Sequence, residues 1–222
     1  MQKIVVLGSL VFDFVARADR LPRRGEAVLA SSFGMFTDGK GANQAVQAGR
    51  LGAETWMIGR VGEDFLGERL LESLKTSGVR TDFIRKDPQR PTGACCIHVD
   101  SEGENAIIIA PNASAACDHT DVDRAEDLIR AADVLLLQLE TNVETVAYAL
   151  ERAQGGRAIT ILNPAPAREI RPGMLRGVDY LTPNESEAEY FSGVARGDLA
   201  LEEWCARSAE KLAELGLEFV RE

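Results

Sequence analysis

The segment KIVVLG, residues Lys3–Gly8, is a short and nearly continuous apolar run. This pattern is typical of a strand that is buried on both faces, as the strands of a parallel sheet are. Similar runs occur at Thr55–Val61, Asp133–Leu139 and Ala158–Leu162, with a shorter one at Tyr180–Thr182. We therefore expect these segments to form one mostly parallel sheet.

Segments with helical periodicity alternate with these strands. The predicted helices are Gly41–Leu51, Leu66–Ser77, Val122–Ala132, Val143–Gln154, Pro183–Ser192 and Leu201–Leu215. Strand alternating with helix predicts an α/β, doubly wound fold with helices on both faces of the sheet.

Two segments interrupt this alternation, at about residues 13–36 and 93–109. The second contains GACCIHVD and ENAIIIA joined by SEGE, which is typical of a β-hairpin. Together the two segments predict a small β-sheet that projects from the main sheet as a lid over a ligand crevice. We expect residues 1–222 to form a single α/β domain into which these lid segments are inserted.

The composition of the 222-residue chain excludes several classes of function. A formal net charge of -10 makes it a poor general binder of nucleic acid or of anionic membranes. No apolar run reaches about 18 residues, and the N-terminus is typical of a strand rather than a signal peptide. The four cysteines show no CxxC spacing, which favours reduced thiols and a cytoplasmic location. The two histidines give no metal-ligand cluster.

The stretch FTDGKGANQA, residues 36–45, places Lys40 between Gly39 and Gly41, just before a predicted helix. Its spacing matches neither the Walker A loop nor the GxGxxG fingerprint. With Asn43 and the nearby backbone amides, the lysine offers several donors to a polyhydroxylated ligand or to an anion. A solvated lysine on a glycine-rich turn explains the pattern equally well.

Two carboxylates follow predicted strands. Asp13 comes five residues after Gly8, and Glu140 comes directly after the LLLQL run. Ligands of open parallel sheets bind at strand ends, where a carboxylate can accept sugar hydroxyls. The alternatives are an exposed acid on a strand for Asp13 and a helix N-terminal acid for Glu140.

In LTPNESEAE, Thr182 is the predicted N-cap of a helix, with Pro183 in its first position and Glu185 closing a capping box. Asn184 and Glu187 are three residues apart and share a helix face. They have the chemistry to orient phosphates and a water-bound Mg²⁺. Acids in a first helical turn also interact with the helix dipole, which is a purely structural role.

The order of these motifs along the chain closely resembles the ribokinase family of carbohydrate kinases, from Lys3 to about Val220. The segments that carry the resemblance are VVLGS, GKGANQA, GRVGEDFLG, APNASA, LLLQLE, LNPAPAR and TPNESEAE. The resemblance implies an α/β domain with a β lid, through which members often form homodimers. It also implies transfer of the γ-phosphoryl group of ATP to a sugar hydroxyl with Mg²⁺, with conversion of D-ribose to ribose 5-phosphate as the best single expectation.

The resemblance also implies roles for individual residues. The sugar would be held by Asp13, Gly39, Lys40, Gly41, Asn43, Asn112 and Glu140. Asn184 would contact the phosphates of the nucleotide, and Glu187 would position Mg²⁺ through water. Some relatives use a monovalent cation, and the resemblance places its site outside this chain.

The chain departs from the family pattern in three places. Val11 stands where the family usually has asparagine, and Asp38 replaces the first glycine before Lys40. The DTxGAGD-type stretch, which supplies the catalytic base, does not occur. The expectation is a C-terminally truncated kinase whose base lies beyond Glu222 and which is inactive if the protein ends there. A non-catalytic sugar-binding or regulatory module, and a kinase for another sugar or a nucleoside, remain as alternatives.

Overall fold

The computed structural model describes residues 1–171 and 173–217. A six-stranded sheet has the order β10-β9-β8-β1-β4-β5, and all its neighbouring strands are parallel. Its strands are β1 (Lys3–Leu7), β4 (Glu54–Gly62), β5 (Val79–Asp87), β8 (Val134–Gln138), β9 (Ile159–Asn163) and β10 (Tyr180–Leu181). The direction of strand addition reverses between β1 and β8. Such a reversal opens a crevice at the carboxyl ends of these two strands.

The helices connect these strands and lie against both faces of the sheet. They are α1 (Lys40–Arg50), α2 (Phe65–Thr76), α3 (Asn112–Ala115), α4 (His119–Asp123), α5 (Glu126–Ala131), α6 (Val143–Ala153), α7 (Glu185–Ser192) and α8 (Leu201–Glu214). A 3₁₀ turn spans Met174–Gly177. None of the described helices has the length and apolarity needed to cross a membrane.

A second, four-stranded sheet forms the lid, in the order β3-β2-β6-β7. Its strands are β2 (Val11–Arg17), β3 (Ser32–Asp38), β6 (Gly93–Val99) and β7 (Asn105–Ala110). β2 pairs with β6 in parallel, whereas β2–β3 and β6–β7 are antiparallel. The predicted fold class, with its lid, is confirmed. The lid strands begin or end up to two residues outside the predicted segments.

The core lies on both faces of the main sheet because residues of β1 alternate between two apolar clusters. Val5 and Leu7 pack with residues of β8, α5 and α6. Val6, on the other face, packs with residues of α1 and α2. All three side chains are fully buried. This explains why the strand reads as a continuous apolar run.

Three predictions about individual elements were wrong. β5 was missed because charged and polar residues separate the few apolar residues of its sequence VRTDFIRKD, so the edge strand shows neither an apolar run nor an alternating pattern. The single helix Val122–Ala132 is two short helices, because a capping box at Asp118 starts α4 early and the chain breaks at Ala125. The N-cap of α7 is Asn184 rather than Thr182, and Glu187 rather than Glu185 closes its capping box.

A polar contact fixes the base of the lid, where the chain passes from β5 of the main sheet to β6 of the lid. The Thr92 hydroxyl accepts a hydrogen bond from Gly62 N at 2.9 Å and donates one to Asp64 Oδ1 at 2.6 Å. The second oxygen of Asp64 accepts from Thr92 N at 2.7 Å. Burial alone would raise the pKa of Asp64, but hydrogen bonds from Thr92 and Gly67 lower it below its usual value. The carboxylate therefore stays ionised and ties α2 to the lid.

We expect Thr92→Val to destabilise the protein by about 1–3 kcal/mol, because the buried Gly62 amide loses its acceptor. The measurement is the free energy of unfolding in urea. Thr37→Val is the matched control, since Thr37 is exposed and, within residues 1–171 and 173–217, its hydroxyl bonds only to Ser73. A change below about 0.5 kcal/mol is expected for the control. Equal effects of the two substitutions would contradict the role of the contact.

Candidate functional site

The crevice between β1 and β8 contains a direct contact between the segments that follow these strands. The Ser9 hydroxyl donates a hydrogen bond to Glu140 Oε2 at 2.6 Å. Glu140 Oε2 also accepts a bond from the backbone amide of Lys40 at 2.9 Å. Glu140, a predicted site residue, therefore lies beside the Gly39–Gly41 turn.

The glycines of this turn are required by its close approach to β1. Gly39 has φ 111°, a conformation that favours glycine, and a Cβ there would lie 2.7 Å from the carbonyl oxygen of Ser9. A Cβ on Gly41 would lie 2.8 Å from backbone atoms of Gly8 and Ser9. The two glycines thus let the first turn of α1 sit directly on the end of β1.

The backbone amides of that first turn are already used inside the protein. Gly41 N donates to Ser9 Oγ at 3.3 Å, Ala42 N to Ser9 O at 3.0 Å, and Asn43 N to Gly39 O at 2.8 Å. With the Lys40 amide on Glu140, four donors are occupied. Because these amides already donate within the protein, they do not offer hydrogen bonds to an anion, one of the two ligand types predicted for this turn. The side chains of the turn remain as donors to a ligand.

The side chains of Asn43 and Lys40 differ in whether they have a partner within the described residues. The Asn43 amide donates to Asp38 Oδ1, which orients it. Lys40 is partly exposed and, among residues 1–171 and 173–217, has no carboxylate oxygen within 4.0 Å of its ammonium group. The ammonium is thus available to a ligand oxygen.

Asp13 lies on the face of the lid that meets this turn. In the register of the lid sheet, Phe36, Asp13, Cys95 and Ile109 form one row across its four strands. Asp38 opposes Val11, two residues before Asp13 and on the same face. The lid therefore brings the carboxylates of Asp13 and Asp38 together.

The environment of Asp13 is unfavourable for its charged form. Its pKa is raised to about 6, first by burial and then by the negative charges of Asp38 and Glu140, against a lowering contribution from a hydrogen bond with the Cys95 thiol. Its Oδ1 is buried and has no hydrogen-bond partner among the described residues. Burial, then the charge of Asp13 and those of Glu140 and Asp38, raise the pKa of Cys95 to about 12, so this thiol stays protonated. Oδ1 of Asp13 therefore has no donor among the described residues, and a ligand hydroxyl could provide one.

Asn112 and Asn184, two further predicted site residues, lie at the base of the lid and after β10. Asn112, at the lid base, has φ 45°, and its amide donates to Thr92 O at 3.1 Å. Its predicted contact with the sugar stays a prediction. Asn184 follows β10, two strands from β8, so it lies at the same edge of the sheet but apart from Glu140.

Asn184 and Glu187 hold each other at the start of α7. Glu187 Oε2 accepts from Asn184 N at 2.9 Å, and Oε1 accepts from Asn184 Nδ2 at 3.0 Å. Asn184 Oδ1 in turn accepts from Glu187 N at 2.8 Å. Glu187 is buried, whereas Asn184 is exposed. The described residues contain no group of three or more His, Cys, Asp or Glu side chains that could hold a metal.

The sequence analysis missed the contributions of Ser9 and Cys95 and saw Asp38 only as a departure from a pattern. Ser9 follows the glycine that ends the first strand, a position that could have marked it. No sequence pattern marks Cys95 as a site residue, because its contact with Asp13 depends on the pairing of β2 with β6.

The raised pKa of Asp13 predicts a pH-dependent stability effect. The ionised carboxylate disfavours folding above about pH 6, and this penalty disappears as the pH falls from 6 towards the ordinary value of 3.8. Asp13→Asn cannot ionise, so it should raise the melting temperature at pH 8 more than at pH 4.5. Asp82→Asn, at an exposed strand position, is the control. The same shift for Asp13→Asn at both pH values would contradict the assignment.

Comparisons with known proteins identify the family of the chain. Residues 1–220 match the family described as pfkB family carbohydrate kinase. Ribokinase of Bacillus subtilis (strain 168) is 40% identical over 188 residues, and the match covers 85% of this chain and 64% of the relative. Deoxyribokinase of Salmonella typhi is 33% identical over 192 residues, covering 86% of this chain and 63% of the relative.

Solved structures show the same fold. A ribokinase of Arabidopsis thaliana, solved with ribose and ATP, has a TM-score of 0.85 at 28% identity and covers 97% of this chain and 70% of its own. The ribokinase of Thermotoga maritima has a TM-score of 0.83 at 34% identity, with coverage of 98% and 70%. The chain thus spans less than two thirds of the length of the two curated relatives and about 70% of these two structures. It belongs to the pfkB family of carbohydrate kinases, with ribokinases among its relatives.

Proposed function

We propose that the chain forms the sugar-binding part of an ATP-dependent sugar kinase that acts on a ribose-type pentose, with D-ribose as the first candidate. One observation carries this proposal. Lid and main sheet bring Asp13, Lys40, Asn43 and Glu140 to the crevice between β1 and β8. Carboxylates, an ammonium group and an amide in one place match the several hydroxyl groups of a sugar.

Each group has a distinct role in the proposal. Asp13 and Glu140 accept hydrogen bonds from sugar hydroxyls, and the buried Oδ1 of Asp13 gains the partner that it lacks among the described residues. Lys40 donates to a sugar oxygen. Asn43, whose Nδ2 is bound to Asp38, offers its Oδ1 as an acceptor. Gly39 and Gly41 contribute by letting α1 approach the crevice.

ATP is the phosphoryl donor in this proposal, and Asn184 contacts its phosphates at the same edge of the sheet. Bound Mg²⁺ would neutralise charge that develops on the phosphates. The described residues do not form a Mg²⁺ site by themselves, because both oxygens of Glu187 already accept bonds from Asn184. Any contact of Glu187 with the metal runs through water, and we assign no described residue as the base for the sugar hydroxyl.

The activity of the chain is a separate question from its ability to bind sugar. A non-catalytic sugar-binding module needs the same four side chains as a kinase does. Calorimetry with a pentose tests the binding site, whereas ATP-dependent phosphorylation of the pentose tests turnover. Binding without phosphorylation would favour the module.

A second candidate substrate is a pentose that lacks one hydroxyl group. Val11 lies two residues before Asp13 on the same lid face and is only 1% exposed. An apolar side chain there offers no hydrogen bond to a hydroxyl, and one of the relatives is named deoxyribokinase. Val11 therefore favours 2-deoxyribose relative to ribose.

Homodimerisation through the lid stays a proposal. It is supported by large apolar side chains that the lid leaves exposed: Phe33, Met35 and Ile108 on one face of its sheet, and Phe36, Ile107 and Ile109 on the face that carries Asp13. Contact with a second copy would remove this apolar surface from water. The cytoplasmic location likewise stays a prediction.

We expect Lys40→Met to weaken the binding of D-ribose about tenfold or more, because the sugar loses a charged donor. Isothermal titration calorimetry measures the dissociation constant. Lys75→Met, at the exposed end of α2, removes the same charge far from the crevice and should leave binding unchanged. A wild-type chain that binds neither ribose nor 2-deoxyribose at millimolar concentration would refute the proposed function.

Val11→Asn should shift the preference between the two sugars towards ribose by about tenfold, because the amide can pair with the additional hydroxyl. The ratio of the two dissociation constants is the measured quantity, so a general loss of stability cancels. Val11→Thr, which keeps the shape of valine, is the second variant in case asparagine is not tolerated at this buried position. An unchanged ratio in a folded variant would argue against Val11 as the selecting residue.

A further inference from the structure

The hydroxyl of the buried Ser9 forms hydrogen bonds with two residues of the candidate sugar site. Ser9 is 0% exposed, and its hydroxyl both donates to Glu140 Oε2 and accepts from Gly41 N. Its carbonyl accepts from Ala42 N at 3.0 Å. One residue therefore joins the end of β1, the first turn of α1 and a carboxylate of the candidate sugar site.

We propose that Ser9 is a positioning residue of the sugar site, which holds the Glu140 carboxylate in one orientation so that Oε1 faces the ligand. This inference rests on the proposed function. It assigns to Ser9 no contact with the sugar, and its effect on binding passes through Glu140.

The hydrogen bonds of Glu140 support this role. Oε2 accepts from Ser9 Oγ and from Lys40 N, whereas Oε1 has no hydrogen-bond donor among the described residues. The last torsion of a glutamate side chain is broad and nearly two-fold, so a carboxylate without fixed partners exchanges its two oxygens easily. Two donors on one oxygen remove this freedom. The other oxygen, Oε1, then already faces the ligand, so binding costs no further conformational entropy of the Glu140 side chain.

The bonds of Ser9 also fix the position of Lys40. Gly39 and Gly41 flank Lys40, and both lie so close to Ser9 that a Cβ on either would meet its backbone at 2.7–2.8 Å. The Gly41 amide that bonds to the Ser9 hydroxyl is in the residue directly after Lys40. Loss of the hydroxyl would therefore loosen the carboxylate and the lysine together.

The test uses Ser9→Ala and measures the dissociation constant of whichever pentose the wild-type chain binds more tightly, D-ribose or 2-deoxy-D-ribose. We expect binding about tenfold weaker, since Glu140 loses one of its two fixed donors. Ser208→Ala is the matched control, because Ser208 is also buried but its hydroxyl has no partner among the described residues. This control should bind the sugar as the wild type does.

A double-mutant cycle separates positioning from general support of the fold. If Ser9 acts through the carboxylate, Ser9→Ala should weaken binding less than about twofold in a Glu140→Gln background. Hydrogen exchange of the Gly41 amide gives a readout without ligand and should be about tenfold faster in Ser9→Ala. Ser9→Cys, which keeps the volume but is a weak donor, replaces alanine if Ser9→Ala does not fold.

The outcomes are distinguishable. Unchanged pentose binding in Ser9→Ala, fully additive effects with Glu140→Gln, or unchanged exchange at Gly41 would each overturn the role of Ser9 while the proposed function stands. A wild-type chain that binds no pentose would overturn the proposed function, and the positioning role would fall with it. Weaker binding with non-additive coupling and faster exchange would establish the role.

Discussion

The candidate site depends on the close approach of the Gly39–Gly41 turn to the end of β1. This contact lies at the point where the strand order of the sheet reverses, between β1 and β8. The reversal sends the connections after these two strands to opposite faces, which leaves a crevice between them. Without glycine at positions 39 and 41, the backbone of α1 could not reach the crevice. The lysine between them and Glu140 would then lie too far apart to share a ligand.

The lid adds an electrostatic constraint to this geometry. It brings Asp13 and Asp38 next to each other, with Glu140 close enough to influence Asp13. Water solvates such a group of carboxylates poorly once they are partly buried, so a proton on Asp13 becomes more favourable. Hydroxyl groups of a ligand can replace the missing water because each one donates a hydrogen bond. Such an environment favours a neutral ligand with many hydrogen-bond donors over an anion. The backbone amides in the first turn of α1 agree with this, because they donate to groups of the protein and are not available to an anion.

The sequence predicts most of the fold, because the parallel strands are buried on both faces and appear as apolar runs such as Lys3–Gly8. It missed β5 at the sheet edge, because charged residues interrupt the apolar residues of VRTDFIRKD. Within the site, Asp13, Lys40, Asn43 and Glu140 could be named from their positions near predicted strand ends or at the start of a predicted helix, and their roles came from the resemblance to the ribokinase family. The pairs Asp13–Asp38 and Ser9–Glu140 could not, since the first depends on lid register and the second joins residues 131 positions apart. Periodicity along one segment carries no information about either.

The predicted nucleotide site at α7 and the predicted sugar site in the crevice differ in whether their polar groups have hydrogen-bond partners. This difference bears on function. At the start of α7, Asn184 and Glu187 satisfy each other through a complete capping box. These residues would hold the same positions for purely structural reasons. In the crevice, by contrast, Oδ1 of Asp13 is buried without a partner among the described residues, and no carboxylate oxygen of those residues lies within 4.0 Å of the Lys40 ammonium. Unsatisfied groups cost free energy in the folded protein, and a ligand that satisfies them recovers it. The argument for a binding site is therefore stronger at the crevice than at α7, and it rests on physical grounds that the motif TPNESEAE alone does not provide.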